Sequence, residues 1–263
     1  MKRHSAPLRY GCALTLCLVL PGAVAADPAA NALCASPVYL TLDPAGMQFA
    51  PRVAEVLRRQ QVRVTYWVSN QRTQNGEGSL GNLWGGWWKQ VAQQGHEFAS
   101  QTYDHVYWRG DLPGYKASFR IKLGTGSFAG REFTYDPAKY CEQIAHAAQR
   151  AEDFTGKKAL PMFHAPGGAT SPKLLAAARA CGYAHVDFAK VGQLGRGVEL
   201  KKALASVRSG DVLLLDLNAA PGAEPWALAN LEPLILGLKA RGMCFATLRQ
   251  HPGFQSWIDS RGG

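Results

Sequence analysis

Gly95-His96-Glu97-Phe98-Ala99-Ser100-Gln101-Thr102-Tyr103-Asp104-His105 packs two histidines, two acids and an amide into eleven residues. Imidazole, carboxylate and amide oxygen are the groups from which metal sites and acid–base sites are built. Phe98-Ala99-Ser100 reads as a short strand. The aromatic, amphipathic residues 84–94 before it read as a helix.

Working outward, the same strand–helix rhythm continues in both directions. Upstream, 38–43 is an apolar strand ending in Asp43, 49–60 has helical spacing of Val53, Val56 and Leu57, and 62–68 is a strand rich in β-branched and aromatic residues. Downstream, Asp136-Pro137 opens a helix, with Asp136 as its N-cap, that runs to about Phe154. Met162-Phe163-His164 is a strand, and Ser171-Pro172 caps a helix ending at Gly182. Strands at 184–188, 211–217 and 243–248 then alternate with helices at 200–207 and 227–241. Such alternation predicts a parallel α/β sheet or barrel. Asp43, His105, His164 and Asp216 all fall near the C-terminal ends of predicted strands, where barrels of this kind collect their functional residues. Residues 106–136 break the rhythm, alternating aromatics such as Tyr107, Trp108 and Tyr115 with Arg109, Lys116 and Arg120. This stretch reads either as a glycan-binding excursion or as a pair of short strands or a flap packing its own aromatics.

Residues 1–26 have the pattern of a secretory signal peptide: Lys2, Arg3 and Arg9, then an apolar run too short to span a bilayer, then small residues. The expected organisation is this leader followed by one domain over 27–263, placed in the periplasm or outside the cell, with no stable membrane span after cleavage. Removing the three leader cations from 29 basic residues, against 19 acidic ones, leaves a net charge of +7. No Lys/Arg block or nucleic-acid motif accompanies that charge, so nucleic acid is not an expected partner. Cys34, Cys141, Cys181 and Cys244 remain and permit two disulfides in three connectivities, between which the sequence does not choose.

Taken in order, these stretches resemble the polysaccharide deacetylases, carbohydrate esterase family four. Gly95 to His105 is similar to the family's Gly-His-Glu-(apolar)-x-x-His-(Ser/Thr)-x-x-His, Phe163-His164-Ala165-Pro166-Gly167-Gly168 to its Phe-Arg-x-Pro-(Tyr/Phe)-Gly, and 210–217 to its Gly-x-(apolar)-(apolar)-Leu-(Leu)-His. Thr41-Leu42-Asp43-Pro44-Ala45 stands where the family has Thr-Phe-Asp-Asp-Gly. The resemblance implies an α/β fold, a distorted seven-stranded (β/α) barrel. It also implies a polysaccharide or peptidoglycan-type glycan as partner, and removal of its N-acetyl or O-acetyl groups with a divalent, zinc-like metal.

The chemistry departs from the family where the framework does not. Asp43 keeps the position of the general base. The metal-binding acid is Pro44, and the two metal histidines are Gln101 and His105. His164 replaces the arginine that orients the base, and Asp216 the general-acid histidine. The resemblance thus implies Asp43, His164 and Asp216 as catalytic residues and His105 with Gln101 as a depleted metal set. Tyr107 and Trp108 are expected to touch substrate. Two functions follow: a deacetylase with an altered active site, or an inactive glycan-binding protein on the same fold. The expected disulfides are Cys141–Cys181 and Cys34–Cys244.

Overall fold

The strand predicted at 38–43 is the centre of the sheet. In the computed structural model, which describes residue 1 and residues 34–114, 117–188, 192–219 and 223–262, β1 spans Pro37–Asp43 and has partners on both sides. One path of parallel strands runs β8 (Ala184–His185), β7 (Met162–Phe163), β3 (Glu97–Ser100), β2 (Thr65–Val68), β1, β10 (Val212–Asp216) and β9 (Gln193–Leu194). These seven strands form a curled half-barrel. An eighth, β11 (Cys244–Ala246), pairs with the first half of β1. The predicted leader falls almost wholly outside the described residues, as does Tyr115. No described helix is long and apolar enough to cross a membrane.

Side-chain alternation along the strands builds two apolar layers. Leu40, Leu42, Tyr66, Val68, Phe98, Leu213 and Leu215 point to the outer layer, where the helices pack. Tyr39, Trp67, Ala99, Met162, Val212 and Leu214 fill the inside of the curl. The same period places Asp43, Gln101, His164 and Asp216 on the inner face, at its C-terminal rim. The helices begin and end where their sequences require. α1 (Ala50–Arg59) buries Val53, Ala54 and Leu57, and α2 covers Gly85–Gln93. In α3 (Pro137–Thr155), Asp136 accepts from the Lys139 amide at 2.8 Å, and Gly156 ends the helix in the left-handed region. Ser171 caps α4 (Pro172–Ala180) by accepting from the Leu174 amide at 3.1 Å. α5 (Leu200–Ser206) and α6 (Trp226–Ala240) complete the outer layer.

Residues 106–135 are a separate three-stranded antiparallel sheet of β4 (Val106–Asp111), β5 (Phe119–Leu123) and β6 (Glu132–Tyr135). Three strands replace the expected pair. Val106, Phe119, Ile121 and Leu123 bury themselves against Tyr140 and Ile144 of α3 and Leu174 of α4, which is the self-packing alternative. α7 (Pro252–Ser260) follows the last predicted strand. Its start is signalled by Pro252 in the first turn and by His251 Nδ1, which accepts from the Gly253 amide at 3.1 Å.

The Gly-His-Glu motif lies at the N-terminal end of β3, away from the rim. His96 Nδ1 accepts from the Val64 amide at 3.1 Å. The buried Glu97 carboxylate is gripped by both arms of Arg249 at 3.1 Å and by Lys157 at 3.0 Å. Its function is to fasten β3 to the helix–loop layer. Disulfides join Cys34 to Cys244, beside the start of β1, and Cys141 of α3 to Cys181 after α4, with Cα separations of 5.9 and 6.3 Å.

Candidate functional site

Asp43 and Asp216 are direct partners across the β1–β10 ladder, at the last residue of each strand. Asp43 is buried. One carboxylate oxygen, Oδ1, accepts from the Ala45 amide at 2.8 Å and from Gln71 Nε2 at 3.1 Å. Burial, and after it the Asp216 carboxylate, push the Asp43 carboxyl up to about 7, against the smaller opposing effect of those donors and of the Gln101 amide. Asp216 is more open and accepts from the backbone and side chain of Asn218 at 2.8 and 2.7 Å.

The loop after β3 delivers Gln101 and His105. It is held by α3: Gln143 accepts from the Asp104 amide at 2.8 Å, donates to Asp104 Oδ2 at 2.9 Å, and its carbonyl receives the Tyr103 amide at 2.8 Å. Asp104 is therefore a strut of this loop. His105 packs on Gly124, where a Cβ would stand 2.7 Å from the His105 carbonyl and 2.9 Å from its Nδ1. Ala45, Met47, Thr102 and His105 all have positive φ, between 50° and 68°. These residues follow β1 and β3, and left-handed backbone at non-glycine residues concentrates at functional loops. Ala45 occupies the family's glycine position and keeps a glycine-like conformation.

Tyr107 meets the His105 ring edge-on at 5.0 Å and lies 3.3 Å from where a Cβ on Gly167 would stand. Burial and the fields of Asp43 and Asp216 raise its hydroxyl. Trp108, one residue on, packs toward the apolar cluster under the antiparallel sheet, with its indole donating to Asp111 at 3.2 Å. His164 is buried between Phe188 and Trp67. Its Nδ1 faces the Val186 carbonyl at 3.0 Å. A carbonyl only accepts, so Nδ1 carries the proton and Nε2 is the free acceptor. Burial holds His105 and His164 down to about 4, so both are neutral at pH 7.

These residues do not suit the family metal. Pro44 has no donor, Gln101 offers a neutral amide, and His105 is one imidazole in place of two. Gln101 Oε1 and His105 Nε2 are buried without hydrogen-bond partners, but an amide oxygen and an imidazole do not replace two imidazoles and a carboxylate. The expected pair of His105 with Gln101 gathers no set of ligands: among the described residues, no three His, Cys, Asp or Glu side chains converge on a metal position. His164 does not fill the gap.

Beside the acids, a cleft of about 560 Å3 opens between the loops after β1 and β10, lined among others by Pro44, Phe49, Arg52, Arg72 and Asn218. Gln71, Arg72, Gln143 and Asn218 were not among the residues singled out in the sequence. They sit in loops or mid-helix; only the folded chain brings Gln71 to Asp43 and Gln143 to Asp104.

A family model for polysaccharide deacetylases matches residues 30–186. Comparison with curated protein sequences gave no match. Among solved structures, the Bc1960 peptidoglycan N-acetylglucosamine deacetylase is 19% identical, with a TM-score of 0.60 over 82% of this chain and 87% of its own. Bacillus subtilis PdaA, a family 4 carbohydrate esterase, is 16% identical, with a TM-score of 0.59 over 84% of this chain and 82% of its own. A mutant of BA3943, a CE4 family pseudoenzyme from Bacillus anthracis with restored enzymatic activity, is 16% identical, with a TM-score of 0.57 over 82% of this chain and 67% of its own.

Proposed function

The chain belongs to the polysaccharide deacetylase family, and from that premise we propose that it binds a cell-envelope or exported glycan at the rim of its half-barrel without the family's metal-dependent deacetylation. The observation that carries this is the donor set at the metal position: proline, amide and one imidazole where the family has a carboxylate and two imidazoles. A metal that polarises the acetyl carbonyl and activates water supplies most of the family's transition-state stabilisation. Without its ligands, the groove and its aromatic wall at Tyr107 are left to bind sugar. The half-barrel offers what a glycan needs: neutral polar groups, an aromatic face and a cleft. The existence of a relative described as a pseudoenzyme on this fold is consistent with such a role. We place this function in the periplasm or outside the cell, after removal of residues 1–26, with residues 27–263 as the working domain.

A second reading rests on one observation, the buried Asp43 carboxyl at about 7 facing Asp216. A carboxyl so placed can take up and release a proton near neutral pH. Asp43 would take the proton from water as its oxygen bonds to the acetyl carbon, and return that proton to the nitrogen of the N-acetyl sugar as the C–N bond breaks, releasing acetate and the free amine beside Asp216. One set of titrations separates the readings. Calorimetry with zinc is expected to give no one-to-one binding, and calorimetry with N-acetylglucosamine oligosaccharides a saturable signal weakened about tenfold or more in Tyr107→Ala. Stoichiometric zinc binding that disappears in His105→Ala would sink the proposal. Acetate release by the wild type that is absent from Asp43→Asn would put the second reading in its place.

A further inference from the structure

The cleft beside Asp43 and Asp216 presents one cation with no ion-pair partner among the described residues. Arg52 and Arg72 both line it. Arg52 donates to Glu224 at 3.0 Å, so the charges of that pair offset one another. Arg72 has no carboxylate within ion-pair distance among the described residues.

The root of Arg72 is held firmly. Its backbone bridges to Gly78 across a tight hairpin. The hairpin is closed by the Thr73 amide on the Glu77 carbonyl at 3.1 Å and the Ser79 amide on the Gln71 carbonyl at 2.7 Å. The Arg72 carbonyl lies 2.6 Å from where a Cβ on Gly46 would stand, so only glycine lets the two loops meet. Its neighbour Gln71 reaches inward to Asp43 at 3.1 Å. An exposed guanidinium thus starts from a fixed point on the rim, one residue from the group that holds Asp43. Glu224 lines the cleft as well, paired with Arg52; apart from that pair the wall is neutral, Gln48, Gln74 and Asn218 offering hydrogen bonds and Phe49 a ring face. That combination suits a sugar ring carrying one anionic group. A planar guanidinium matches a carboxylate through two parallel hydrogen bonds.

We propose that this cleft takes a carboxylate-bearing sugar unit of an acidic glycan, with Arg72 pairing the carboxylate. The inference rests on the glycan-binding reading and names the kind of glycan. It is tested by calorimetry on the full chain with a galacturonate trimer, the corresponding galactose trimer and an N-acetylglucosamine trimer, at about 0.1 M salt. Wild type is expected to bind the galacturonate trimer about tenfold more tightly than the galactose trimer. Arg72→Gln should bring that ratio close to one, and Arg72→Lys should recover only part of it. Arg52→Gln should lower it less, because Arg52 is already engaged with Glu224. A wild-type ratio near one, or a ratio that survives in Arg72→Gln, overturns the inference. Binding of the neutral trimers alone overturns it and leaves the glycan reading standing. If no trimer binds, both fall.

Discussion

At the scale of single residues, Pro44 and Gln101 decide what the site can hold. Both stand at the rim beside groups that have kept their family type, Asp43 and His105. Pro44→Asp together with Gln101→His would supply a carboxylate and a second imidazole to join His105, the ligand types zinc prefers. The double variant is expected to bind zinc one-to-one and at least tenfold more tightly than wild type, as read by calorimetry. If it binds zinc no better than wild type, the donor types are not what keeps metal out. These substitutions were legible in the sequence because motif residues keep their order along the chain. So was the inward direction of Asp43, Gln101, His164 and Asp216, which follows from the period of a strand. Gln71 was not legible. It reaches Asp43 from a loop whose composition says only that it is a loop, and no periodicity marks one amide among several.

At the scale of elements, the site is a set of loops tied down from behind. α3 contributes Gln143, whose amide holds both the backbone and the carboxylate of Asp104. Gln143→Ala removes both bonds and leaves the partly buried Asp104 amide without that partner. It is expected to cost about 1–3 kcal/mol in urea unfolding and to weaken N-acetylglucosamine oligosaccharide binding, because His105 and Tyr107 lose their support. Unchanged stability and unchanged binding together would show that the strut is dispensable. The helices that carry such struts were predictable from caps at Asp136 and Ser171 and from the spacing of apolar residues. The antiparallel sheet over 106–135 was harder to read. Its aromatics alternate as strands require, but the same alternation suits a surface for sugar rings, and only the packing of Phe119 and Ile121 on α3 and α4 separates the two. α7 lay beyond the last family-like strand, so nothing in the resemblance asked for it.

At the scale of the whole molecule, buried histidines set the response to acid. His96, His105 and His164 are each held down to about 4 by burial, against an ordinary value of 6.5. Each contributes stability that is present above pH 6.5 and is lost as pH falls through 4. Asp43, pushed up to about 7, acts in the opposite sense: its contribution is full below its ordinary value of 3.8 and is lost as pH rises through 7. Between pH 4 and 6.5 these three histidines oppose Asp43, burial lowers His185 and His251 in the same sense as the three, and unfolding takes up about two protons or more net. The melting temperature is expected to peak near pH 6.5–7 and to fall toward pH 4, with a steeper fall in Asp43→Asn. A profile that is flat or rises over that interval would contradict the assignment of these histidines as neutral. The disulfide from Cys34 to Cys244 bears on a different matter, the order in which the protein can be made. It spans 210 residues, and the same end of the chain supplies β10 and β11, two of the three partners of β1. β1 can pair with β2 early, but its other edge and its covalent tie wait for nearly the last strands of the chain. Until then that edge stands open, and a nascent chain halted before residue 212 carries a central strand paired on one side alone, with the adhesive properties of any bare sheet edge.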